Sequence, residues 1–166
     1  MVETIVCSYL NTLGLESHHG GAVSSALWVQ VLREAAKADR IAANALAEKL
    51  TGQIQGLGAE AGIQDVARIE RDMRSAIFEL IDGGYIEVLF RINAAFARQE
   101  ISGDTHFADL VGIETFVRNW KRAKLAELEA IADGDEMLAV MAALHSRKLW
   151  LDREQLWRSR HAKPTS

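Results

Sequence analysis

The stretch KLAELEAIADGDEMLAVMAALHSRKLWLDREQL, residues 124–156, decides the fold of this chain. In its first part Leu128 and Ile131 continue an apolar series begun by Val117 and Trp120, at the spacing of one helix face. Asp133-Gly134-Asp135 interrupts the series. Glycine supplies a left-handed stop there, and Asp135 is placed to cap the next helix. Beyond the turn Met137, Leu138, Met141, Leu144 and Leu149 form a second stripe, on a helix expected from Glu136 to about Arg158. Two helices joined by so short a turn lie antiparallel, so the stretch specifies a helical hairpin.

The pattern spreads in both directions. Upstream, the first of these helices reaches back to Thr105 through Phe107 and Leu110, with a bend expected at Gly112, because a mid-helix glycine costs about 1 kcal/mol relative to alanine. A shorter helix, Tyr85 to Ile101, carries Leu89, Ile92 and Phe96 and closes at Ser102-Gly103-Asp104. Before it, IQDVARIERDMRSAIFEL (63–80) places Val66, Ile69, Met73, Ala76 and Leu80 on one face and stops at Asp82-Gly83-Gly84. TGQIQGLGAEAG (51–62) holds four glycines and reads as a loop. Ser24 or Ser25 caps a helix bearing Trp28, Val31, Leu32, Ala35, Ala42 and Leu46 toward Leu50. No strand-like alternation or internal repeat appears. The expectation is an all-α, antiparallel bundle of about six helices: an N-terminal arm over 1–24, a helical domain over 25–160 and a tail over 161–166.

Composition bounds the function. The chain has 166 residues, 49% apolar and 25% charged, with one proline (Pro164), which fits one soluble globular domain. Its formal charge of −4 gives no electrostatic footprint for nucleic acid, and the basic run Arg118 to Lys124 reads as a solvated helix face. Cys7 is alone, so no intrachain disulfide forms and a reducing compartment is expected. No apolar run approaches a membrane span, and the first residues lack a secretory pattern. A cytoplasmic protein with no membrane contact is expected.

Three residues do not suit the faces they occupy. Asn93 sits among Leu89, Ile92 and Phe96, Lys124 between Trp120 and Leu128, and His145 in the Met141–Leu149 stripe. Singly, each has a plain explanation: an asparagine bonded to backbone, a lysine whose stem lies on apolar neighbours, a structural histidine. Three separate burials of unpaired polar groups would cost about 1–3 kcal/mol each. One hydrated chamber between the helices would satisfy all three. Lys124 would then supply charge for a small organic acid or other anionic effector, with Asn93 and His145 as hydrogen-bonding partners.

These residues carry a resemblance. KLAELEAIADGDEMLAVMAALHSRKLWLDREQL, with INAAFARQEISGDTHFADL (92–110) before it, resembles the FCD domain, the effector-binding and dimerisation domain of FadR-type GntR transcription regulators. The similarity spans about Glu34 to Trp157. Many members bind a divalent metal through one Asp and three His. By position the Asp falls on Asn93, the first His on Ala97 and the second on Lys124. The third falls on Ser146 by ungapped counting, or on His145 if one residue is missing; the apolar stripe favours His145. An amide and an ammonium are poor ligands for a divalent cation, so no metal and no cofactor is expected. The resemblance implies a homodimer. It also implies DNA binding only through a winged helix-turn-helix that these residues lack, so the chain is either a truncated regulator or a solitary sensor domain.

Other features are plainer. His18-His19-Gly20-Gly21 lacks metal-ligand spacing and reads as part of a flexible arm. Glu70 and Arg74, at i and i+4, read as a surface ion pair. Trp150 and Trp157 share a face suited to a core edge or a dimer interface. No nucleophile elbow, zinc-protease motif or phosphate loop is present, and no enzymatic activity is expected. Two readings remain: a ligand sensor, or a helical interaction or oligomerisation module with no small-molecule ligand.

Overall fold

A computed structural model describes residues 18–82, 84, 86–88 and 112–161, and the surroundings of side chains over 26–150 and at 152 within those ranges. Five helices are complete: α1 (His18–Ala35), α2 (Arg40–Gln55), α3 (Ile63–Leu80), α4 (Ile113–Asp133) and α5 (Glu136–His161). Residues 84 and 86–88 are helical too, and no strand occurs among the described residues. The fold is an all-α helical bundle.

Several boundaries differ from expectation, each for a local reason. The single helix expected from Ser24 or Ser25 to Leu50 is two. Lys37 and Ala38 close the end of α1 with tight i→i+3 bonds to Glu34 and Ala35. Asp39 then turns extended, and its carboxylate accepts from the N–H groups of Ile41 and Ala42, both at 3.1 Å. An aspartate cap restarts the helix where no glycine or proline marks a break. At the other end α1 begins at His18, so the His18-His19 pair and the end of the expected 1–24 arm are helical. α2 continues through Gly52 to Gln55, which shortens the expected 51–62 loop. Gly112 is a break and not a bend: at φ +93° it stands outside the helix as the N-cap of α4. Most of the 85–101 helix, and residues 105–111, lie outside the described residues.

The Asp133–Asp135 turn forms as expected. Gly134 is left-handed, at φ +64°, and the Asp135 carboxylate accepts from the N–H of Leu138 at 2.9 Å. Polar contacts between helices mark their directions. Arg33, at the end of α1, reaches Glu136, at the start of α5, at 2.9 Å. Arg40, opening α2, donates to the carbonyl of Ile131 near the end of α4. Lys121, earlier on α4, donates to the carbonyl of Leu57 just past α2. α4 therefore runs antiparallel to both α2 and α5 and lies at the centre. It contributes Phe116, Val117, Trp120, Leu128 and Ile131 to one core with Val31, Leu32, Leu50, Ile54, Ile69, Met73 and Ile77. Trp150 packs edge-on against Phe116 at 5.0 Å, a core-edge position as its spacing implied; the side chain of Trp157 lies outside the described set.

Candidate functional site

The core surrounds a charged centre. Lys124, on the inward face of α4, is only 2% exposed. Its ammonium lies 3.0 Å from Glu127 Oε2, one helical turn along, and 3.2 Å from Glu70 Oε1 on α3. Each carboxylate also accepts from an indole: Trp120 Nε1 donates to Glu70 at 2.8 Å, and Trp28 Nε1, from α1, donates to Glu127 at 3.3 Å. The ammonium stands 5.7 Å from the centre of the Trp28 ring, within cation–π range. From α5, Ser146 brings a buried hydroxyl to the same place. It faces Glu127 and favours the charged carboxylate, yet it completes no hydrogen bond of good geometry. Arg147 Nε is likewise buried without a hydrogen-bond partner.

Burial would neutralise every charge here, and the partners decide which survive. Burial pushes the Lys124 ammonium toward the neutral form, but Glu127 and Glu70 overcome it and hold its pKa above the ordinary lysine value. For Glu70, burial is again opposed, by Lys124, by Arg74 and by the Trp120 indole, and its pKa lies below the usual carboxylate value. Glu127 has burial and the nearby Glu70 charge against it and only Lys124 and Ser146 in its favour, so its pKa is raised. The centre thus contains two carboxyls and one ammonium. Glu127 is the carboxyl that takes up a proton first.

Of the three expected pocket residues, Lys124 and His145 can be placed, one buried and the other exposed. Lys124 is inward, as its stripe required, but its charge is already met by two carboxylates. His145 is exposed on the outer side of α5. Asn93, like Ala97, lies outside the described residues. The phase assigned to the last helix is corrected: Ala139, Ala142, Ala143 and Ser146 face inward, while Met137, Leu138, Met141 and Leu144 are exposed. Ser146, not His145, shares the interior with Lys124. Glu70 is corrected as well. It is buried, and Arg74 Nε bonds its main-chain carbonyl at 3.0 Å while the Arg74 charge favours the ionised Glu70 carboxylate.

Spacing carries a signal for the residues missed. Glu70 is four after Val66 and three before Met73, on the buried stripe itself, and Glu127 is three after Lys124 on the face of Trp120 and Ile131. The set does not suit a divalent cation, because the ammonium fills the space between the carboxylates and, among the described residues, no imidazole or thiolate joins them. An open cleft of about 290 Å³ lies elsewhere, at the starts of α3 and α4, lined by Glu60, Gly62, Ile63, Gln64, Ile113 and Glu114 among others. Its two glutamates disfavour an anion.

Fold and site together define a helical bundle closed over a buried carboxylate–ammonium–carboxylate centre. No family model, curated protein or solved structure matches the chain. No described helix is long and apolar enough to cross a membrane.

Proposed function

We propose that this chain is a helical homo-oligomerisation module, with its buried ionic centre serving to fix the packing of α1, α3, α4 and α5. One observation carries the reading. Over 137–144 α5 is apolar on every side, with alanines turned to the core and Met137, Leu138, Met141 and Leu144 turned outward. A helix apolar all round is ordinarily covered on all sides, and a contiguous exposed apolar patch marks an interaction surface. The ionic centre is not an anion receptor in this arrangement: an organic acid would have to displace Glu70 or Glu127 from Lys124, at the cost of leaving a carboxylate buried and unpaired.

A second reading, the effector-binding and dimerisation domain of a FadR-type transcription regulator, has its own support. Lys124, and Ser146 where the resemblance is counted without a gap, stand at metal-ligand positions of the family, and both are buried and act on Glu127. In that reading the guest completes the hydrogen bonding of the Ser146 hydroxyl, and contact with DNA belongs to a separate module. Sedimentation velocity of the full chain over a wide concentration range tests the first reading. Reversible growth of a larger species is expected; a monomer at every concentration, stabilised in a thermal-shift screen by an organic acid, would replace it with the second.

A further inference from the structure

Resting on the self-association proposed above, we infer that the partner is a second copy of this chain, docked α5 against α5 in antiparallel fashion about a two-fold axis beside Met141. The row from Met137 to Leu144 contains no charge, so a two-fold axis through it brings no like charges together. Large side chains point out of the bundle while small ones point in, with Met137 at 71% and Met141 at 59% exposure, and no described residue lies over them. Seven residues of helix rise about 10 Å, enough for two turns of one helix to seat across another.

The ends of the row select the second copy and its direction. At the N-terminal end Glu136 is held by Arg33 at 2.9 Å and by Lys37 at 3.7 Å, and Lys37 also pairs with Glu34 at 2.9 Å, so the set carries no net charge. At the C-terminal end Lys148 pairs with Asp152 on the exposed face. Glu136 and Lys148 are twelve residues apart, which places their midpoint at Ala142, beside Met141. An antiparallel two-fold there sets Glu136 of one copy against Lys148 of the other, and Arg33 and Lys37 toward Asp152. A parallel arrangement would set Glu136 against Glu136 and Lys148 against Lys148. Leu144 of each copy then falls over Val140 of the other. Isologous two-fold pairing is the commonest route by which soluble chains associate. Four apolar side chains supply only part of the roughly 800 Å² per partner of a standard interface, so the association is reversible and depends on concentration.

The symmetry makes the test specific, because Met141 nearly meets its own copy. Met141→Lys and Met141→Glu, each alone, place like charges across the axis and are expected to weaken association about tenfold or more. Mixed in equal amounts, the two variants are expected to form a heterodimer, read by sedimentation velocity with one of them fluorescently labelled. Ile41→Lys, exposed at 82% on α2, is expected to associate as the unmodified chain does. Should either variant fold poorly, Met141→Cys in a Cys7→Ser background is expected to give an intermolecular disulfide under mild oxidation. If the unmodified chain associates but neither Met141 charge weakens it, or the mixture stays monomeric, or the cysteine fails to cross-link, the α5 contact is overturned and self-association through another face survives. A chain monomeric throughout, with residues 137–144 protected from hydrogen exchange by its own N-terminal segment, overturns both.

Discussion

At Lys124 a residue that looks like a ligand turns out to be a counter-ion. An ammonium in an apolar stripe is equally a hand extended to a guest or a charge balanced from within; its neighbours decide. Here Glu70 and Glu127 both reach it, and two indoles complete their hydrogen bonding. Such a cluster need not stabilise the fold relative to a hydrocarbon core, but breaking it is costly, because the partners left behind remain buried. Lys124→Met should therefore destabilise the chain by about 3–5 kcal/mol at neutral pH, against about 0.5–1.5 kcal/mol for Ile131→Val in the same core. Urea denaturation of both variants checks the contrast. A Lys124→Met loss no larger than that of Ile131→Val would mean the ammonium does not hold the carboxylates together. The misfit at 124 is legible in the sequence. Its resolution is not, because Glu70 presents to the eye as half of an exposed Glu–Arg pair, and only the helix phase puts it inside.

The elements are most legible at their ends and least at their rotation. The Asp133–Asp135 turn can be read directly because glycine and aspartate have specific backbone roles there. Gly134 sits at φ +64°, and a Cβ on it would strike the Arg40 guanidinium and approach the Ala36 carbonyl at 3.0 Å. Gly134→Ala is thus expected to cost about 1–2 kcal/mol from the left-handed backbone alone and to disturb the Arg40–Ile131 bond. Gly52 makes the opposite case: it lies inside α2, and a Cβ added there would meet nothing within 4 Å. Gly52→Ala should stabilise by about 0.4–1 kcal/mol. Thermal unfolding of the two variants, with shifts of opposite sign, is the check. The rotation of α5 is misleading because hydrophobicity without side-chain size picks the wrong inward face. Where α5 packs on α4 and α1, the buried positions are Ala139, Ala142, Ala143 and Ser146, and the larger methionines and leucines stay outside. The split at Asp39 is hidden for a related reason. An aspartate cap interrupts a helix without the glycine or proline that usually advertises a stop.

At the scale of the whole molecule, the helical class and the hairpin connection follow from periodicity, whereas the pairing of α3 with α4 through a buried charge does not. That contact joins residues 50 positions apart, and nothing local encodes it. Its consequence is a pH dependence of global stability with two opposed limbs. In the unfolded chain both carboxyls titrate near their ordinary value of 4.5. Glu127 has a raised pKa when folded, so its contribution is complete below 4.5 and is lost as the pH climbs through the raised value. Glu70 has a lowered pKa when folded, so its contribution is present above 4.5 and is lost as the pH falls through the lowered value. Exposed Asp65 and Glu136 are shifted in the same direction as Glu70 and act on the acid limb only. Glu127→Gln keeps an acceptor for the Trp28 indole and removes the proton whose loss the interior resists. The variant should therefore gain on the unmodified chain as the pH rises from 4.5, level off above the raised pKa, and leave the acid limb unchanged. Urea midpoints of the two proteins, measured side by side across that range, decide it. A difference that stays constant with pH would show that Glu127 titrates alike folded and unfolded, and that the second carboxylate in the core is ionised without penalty.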